Sequence, residues 1–138
     1  MGHWRHAAAG AILTPMMTTN DLEAFFDKGW NRHDVDRLMT FMAEDCVYES
    51  TAGPEVCGTR HAGRERVRQA FARVFEVFPD ARFGEARHFV AGDRGVSEWR
   101  FTGTTAEGKT VEVDGCDLFT FAGDKIARKS SFFKTRTA

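Results

Sequence analysis

The sequence predicts a single α+β domain, with amphipathic helices at the front, a curved antiparallel sheet behind and one pocket between them. Two observations predict it. Up to Phe78 apolar residues recur mainly at helical spacing, and from Ala81 onward they alternate. No repeat, low-complexity block or linker divides the 138 residues, a length that fits one domain with a real core.

Caps for the first helix are offered by Thr18, Thr19, Asn20 and Asp21, with Glu23 placed three residues after Asn20 as in a capping box. Leu22, Phe25, Phe26 and Trp30 give this helix, about 20–31, its apolar stripe. A turn at 31–34 leads to a second helix capped by Asp34, whose face of Val35, Leu38, Met39 and Met42 runs to about Glu44. Residues 46–50 read as a short strand centred on Val47 and Tyr48, followed by a loop with Gly53, Pro54 and Gly58. The third helix, about 63–78, carries Val67, Phe71, Val74, Phe75 and Phe78 and stops at Pro79. Four strands follow at about 82–91, 95–105, 109–121 and 125–134. Gly92-Asp93 and Gly123-Asp124 supply tight hairpins, and residues 106–108 form a three-residue loop. Residues 1–17 read as a flexible N-terminal extension ahead of a domain over 18–138.

Composition narrows the function. Nineteen basic residues against 20 acidic ones leave no basic excess for displacing counterions, so no nucleic-acid partner is expected. Arg60, Arg64, Arg66, Arg68 and Arg73 read as a solvated face. No apolar run reaches the roughly 20 residues of a membrane span. Cys46, Cys57 and Cys116 lack paired or metal-like spacing, so reduced thiols, a cytoplasmic location, no metal and no cofactor are expected. Thirteen Phe and three Trp supply rings for a core or an apolar cavity. Apolar residues on both faces of the later strands, Leu118 opposite Phe119 for example, predict a homodimer through the outer sheet face.

Asp117 is the leading candidate for chemistry. Val111, Val113, Gly115, Phe119 and Phe121 share its strand face, so a carboxylate sits among apolar groups where burial would raise its pKa and suit it to proton transfer. The alternative is a buried structural Asp paired with a backbone or basic group. A loop at 106–108 sets Trp99 opposite Gly115 and Phe101 opposite Val113, leaving Glu98 and Arg100 outside. A bulge at Gly115 would reverse this and bring Glu98 and Arg100 inward. Glu98, Arg100 and Lys129 are candidates to join Asp117 in a buried polar network. His88, the only strand histidine, is a candidate acid–base partner, with a surface or interface role as the alternative. Trp30 and Tyr48 are candidates to line the cavity.

W-N-R-H-D-V-D-R-L at 30–38, E-D-C-V-Y at 44–48, F-P-D at 78–80, A-G-D-R at 91–94, W-R-F-T-G-T at 99–104 and G-C-D-L-F-T-F-A-G-D-K-I at 115–126 occur in a telling order. Together they resemble the nuclear-transport-factor-2-like superfamily, in its SnoaL-like polyketide cyclase and ketosteroid isomerase branches. The resemblance covers about 18–135 and implies a cone-shaped sheet wrapped around three helices, often as a homodimer. It also implies a cofactor-free enzyme doing acid/base chemistry, an isomerisation or aldol-type cyclisation, on a hydrophobic carbonyl-bearing molecule. A binding module for an apolar molecule and a dimerisation domain with a filled pocket are the alternatives. Asp117 looks similar to the strand acid that donates to an enolate in ketosteroid isomerases. Their catalytic Tyr aligns near Phe26 and their base near Ser50, beside Glu49, so that chemistry does not carry over whole. Gly115 stands where epoxide-hydrolysing relatives carry Arg. Phe26, Trp30, Trp99, Phe119 and Phe133 are then expected as a dry aromatic wall, with Tyr48 and Phe101 also substrate-binding.

Overall fold

Thr18 caps the first helix by accepting from the Asp21 N–H at 3.1 Å, and Asp21 returns the bond to the Thr18 N–H at 2.9 Å. The capping box is thus Thr18/Asp21 rather than Asn20/Glu23. The computed structural model describes residues 15–138. Most of the expected N-terminal extension lies outside the described residues. Met17, assigned to it, is buried, and its N–H donates to the Gly123 carbonyl at 3.1 Å.

Helix α1, Thr19–Ala24, runs directly into a π-helical turn, Phe25–Trp30, closed by Asn31 N–H donating to the Phe26 carbonyl at 2.8 Å. The wider turn sets Phe25, Phe26 and Trp30 all inward. Asn31 then clamps the sheet: its amide donates to the Phe83 carbonyl at 2.9 Å and accepts from the Phe83 N–H at 2.8 Å. Asp34 caps α2, Val35–Thr40, through the Arg37 N–H at 3.0 Å. Helix α3 spans Arg64–Val77 and buries Val67 and Phe71.

Six strands follow the order β2-β1-β6-β5-β4-β3. They are β1 Met42–Glu49, β2 Arg60–Ala62, β3 Arg82–Ala91, β4 Arg94–Thr104, β5 Thr110–Ala122 and β6 Lys125–Phe133. All neighbours pair antiparallel except β1 and β6, which run parallel, so the expected wholly antiparallel sheet is in fact mixed. Two boundaries also differ from expectation. Helix α2 ends at Thr40 and Met42 already belongs to β1, and residues expected as loop supply β2.

The expected β4–β5 register is present: Trp99 pairs with Gly115 and Phe101 with Val113, with no shift at Gly115. Arg100 therefore lies on the outer face, 2.8 Å from Asp114 and 3.3 Å from Glu85. Both two-residue hairpins carry glycine at positive φ, Gly92 at 61° and Gly123 at 62°. Register shifts break the β3–β4 ladder between Gly84 and Arg87 and the β5–β6 ladder between Thr120 and Phe121, where β6 carries the extra residue, and such bulges add local bend and twist.

Glu49 shows how the outer face of the β1–β6 pair is held. Its carboxylate is buried, accepts from Arg128 at 2.7 and 3.0 Å, and lies 3.5 Å from Arg60. Burial alone would push this carboxyl up, but hydrogen bonds from Arg128 and Ser130 and the two arginine charges hold it below its ordinary value of 4.5. A depressed folded-state pKa stabilises above the unfolded value, and the gain fades as pH falls through the folded one. Glu49→Gln is therefore expected to lower the urea midpoint at pH 7, with the gap to wild type closing between roughly pH 5 and pH 2. A gap that stays constant over that range would count against this account.

Candidate functional site

Period two along β5 and β6 builds the site. Asp117 faces inward between Ser97 on β4 and Ser131 on β6, its cross-strand partners, and all three are buried. One residue pair along, Phe119 faces Lys129, and in the other direction Gly115 lies between Trp99 and Phe133. Strand β1 adds Tyr48, paired in register with Lys129.

Asp117 is completely buried, but it is not a lone carboxylate among apolar groups. Its Oδ2 accepts from the Trp99 indole N–H at 3.0 Å, and its Oδ1 accepts from the Ser131 hydroxyl. Lys129 Nζ lies 3.0 Å from Oδ1 and donates to Ser131 Oγ at 2.8 Å. Of the two readings the sequence left open, the basic partner is thus present, supplied by Lys129 rather than Arg100.

Lys129 is only 3% exposed and sits against rings, with Nζ 5.0 Å from the Trp30 centroid, 4.7 Å from Tyr48 and 5.7 Å from Phe71. These rings and the carboxylate replace the water an ammonium ordinarily holds.

Beside this pair lies a cavity of about 290 Å³, close to the lower end, roughly 300 Å³, of small-molecule sites. Its wall is formed by Trp30, Tyr48, Thr51, Val74, Phe78, Phe83, Trp99, Phe101, Val111, Lys129, Ser131 and Phe133. Among the described residues Lys129 is the one charged residue in that wall, and Asp117 lies behind it, reached through Lys129 and Ser131. Thr51 and Phe133 are exposed and mark the mouth.

Two further donors belong to the wall. The Trp30 indole N–H is buried with no hydrogen-bond partner among the described residues. Burial pushes the Tyr48 phenol above its ordinary 10.0, with Lys129 opposing and Asp117 adding to the rise, so its hydroxyl stays protonated at neutral pH.

The structure brings Trp30, Tyr48, Trp99, Phe101 and Phe133 to the cavity. It does not bring Phe26 or Phe119 there. Phe26 packs on Phe83 and His88, and Phe119 on Phe25 and Phe121, so both fill core. His88 also stands apart, stacked 5.5 Å from Phe26 with Nδ1 2.8 Å from Ser97 Oγ. Burial holds its imidazole below 6.5, although Glu23, Asp27 and Asp117 pull upward, so it is neutral at pH 7. Ser50, at the aligned base position, bonds within its own loop, and Glu49 faces outward to arginines. Ser131 and Phe83 were missed. Alternation Lys129, Ser131, Phe133 is the signal that would have found Ser131, once β6 is paired inward.

Among the described residues no group of three or more His, Cys, Asp or Glu is placed to hold a metal. No described helix is long and apolar enough to cross a membrane.

A mixed α+β cone with a ligand-sized cavity over a buried polar strand cluster defines the class, and the sequence comparison names it. The SnoaL-like domain family matches residues 22–129, and the chain belongs to that family. Solved structures agree in fold. A candidate polyketide cyclase of Pseudomonas putida KT2440 is similar with a TM-score of 0.75 and 19% identity, over 86% of this chain and 92% of that one. A candidate SnoaL-like polyketide cyclase of Jannaschia sp. CCS1 is similar with a TM-score of 0.73 and 23% identity, over 91% and 92%. TerC, co-crystallised with polyporic acid, is similar with a TM-score of 0.69 and 21% identity, over 83% and 89%. No curated protein matches the chain.

Proposed function

We propose that the chain is a cofactor-free enzyme that moves a proton next to the carbonyl of an apolar small molecule, in an isomerisation or aldol-type cyclisation. The observation that carries this reading is the donor set of the cavity. Lys129, Tyr48 and Trp30, whose indole N–H is unpartnered among the described residues, belong to a wall that is mainly aromatic and otherwise adds Thr51, Ser131, Val74 and Val111. A buried N–H without a partner costs about 1–3 kcal/mol, a cost that a ligand oxygen would relieve. Such donors suit a carbonyl whose oxygen gains charge as an enolate forms. Asp117, held by Ser131 and Lys129, is the proton reservoir behind them. The ligand-bound TerC and the candidate polyketide cyclases among the structural neighbours fit a small-molecule site of this kind. The same reading includes a homodimer through the outer face, where Phe89 and Phe132 are half exposed.

The test uses 4-phenylbutan-2-one in D₂O, with NMR following loss of the protons next to its carbonyl. Wild type is expected to exceed buffer by at least about 10²-fold, the scale of positioned acid–base catalysis. Asp117→Asn, held below its melting temperature, should fall to the buffer rate. Binding of the ketone without faster exchange would favour the non-catalytic binding module instead.

A further inference from the structure

Lys129 combines features that a proton-transfer role leaves unused. It is a primary amine in the wall of an apolar, ligand-sized cavity. A carboxylate stands 3.0 Å from its nitrogen, on the side away from the ligand space, and a hydroxyl lies at 2.8 Å. An ammonium cannot attack a carbonyl, but an amine can, and here the proton has a near acceptor. With Asp117 as that acceptor, the proton moves within a buried pair and no charge has to be carried out to solvent.

We propose that Lys129 forms an iminium with the carbonyl of an apolar methyl ketone or aldehyde. Nζ gives one proton to Asp117, directly or through Ser131, and its lone pair bonds to the carbonyl carbon. The C=O π pair moves onto oxygen, which is protonated by the remaining acidic N–H to give the neutral carbinolamine. The nitrogen lone pair then forms C=N while the C–O bond breaks, and oxygen leaves as water with the proton from Asp117. The sum is ammonium plus carbonyl giving iminium plus water. Asp117 is again a carboxylate, and the neighbouring C–H proton, which the iminium acidifies, passes to it through the Ser131 hydroxyl that lines the cavity.

This inference rests on the carbonyl-ligand reading above, and one experiment separates the two. Full-length protein is incubated with 4-phenylbutan-2-one and sodium cyanoborohydride, which delivers hydride to the iminium carbon and leaves a stable secondary amine. Peptide mapping should place the adduct on Lys129 at least about tenfold above Lys28, Lys109, Lys125 or Lys134, because only Lys129 lies in the cavity wall. The paired variant Lys129→Met/Asp117→Asn, which removes both charges together, should keep its circular dichroism spectrum and lose the adduct. An adduct absent from Lys129, or spread evenly over the lysines, while carbonyl-adjacent exchange continues overturns the iminium and leaves the acid/base reading. Failure of the ketone to quench tryptophan fluorescence at millimolar concentration overturns both.

Discussion

Asp117→Asn is expected to destabilise the domain by about 3–5 kcal/mol, because it leaves the Lys129 ammonium buried without its counter-charge. Lys129 is 3% exposed, and its other close polar partner is the Ser131 hydroxyl, which cannot neutralise it. Asparagine would retain an acceptor for the Trp99 N–H, so the loss should come mainly from the charge. For a chain of this size the change corresponds to a fall in melting temperature of roughly 10 °C or more. Lys129→Met should cost a similar amount for the mirror reason, a buried carboxylate without a cation. The double variant should recover much of the loss, since replacing both charges is often neutral or better. Urea denaturation of the four proteins gives the coupling directly. Additive single losses would mean that the two groups do not act as a pair. Function and stability therefore meet in one residue, and turnover must be compared only among variants shown to be folded.

The residues that were legible in the sequence are those whose local pattern already determines their direction. In β4 and β5 strict alternation and a three-residue loop leave one register that keeps charges outside, and Trp99 indeed faces Gly115. The basic partner of Asp117 was legible only as a choice between Arg100 and Lys129, because Lys129 sits on the next strand and its direction depends on how that strand pairs. In A-R-K-S-S-F-F, over 127–133, local pattern does not fix a direction, and it is pairing with Phe119 and Asp117 that turns Lys129 and Ser131 inward. Met42 continued the helical spacing of Val35, Leu38 and Met39, yet it belongs to β1, where Ile126 of β6 is its parallel partner. The strand β2 has three residues and pairs only with β1, too little for a pattern. Aromatic identity also fails to separate core from wall. Phe26 and Trp30 lie on the same π turn, but of the two only Trp30 reaches the cavity, where Tyr48 also lines the wall.

Gly115→Ala is expected to damage the site through packing alone. A Cβ at that position would overlap the Phe132 carbonyl oxygen and lie 2.5 Å from two atoms of the Trp99 ring. Neither neighbour yields easily, because Phe132 is backbone of the paired strand and the Trp99 ring packs on Phe83 at 4.9 Å. Overpacking of this kind costs about 1–3 kcal/mol. Any shift of Trp99 also stretches its 3.0 Å bond to Asp117, and a buried carboxylate short of one donor costs a further ~1–3 kcal/mol. Gly108→Ala is the control. Its φ of +84° strains any side chain, but nothing lies within 4 Å, so the cost there should be only about 1 kcal/mol. Urea midpoints should therefore order wild type above Gly108→Ala above Gly115→Ala, and the Trp99 fluorescence contribution should change only in Gly115→Ala. Equal midpoints for the two variants, with unchanged fluorescence, would show that Trp99 is free to move and does not anchor the Asp117 cluster.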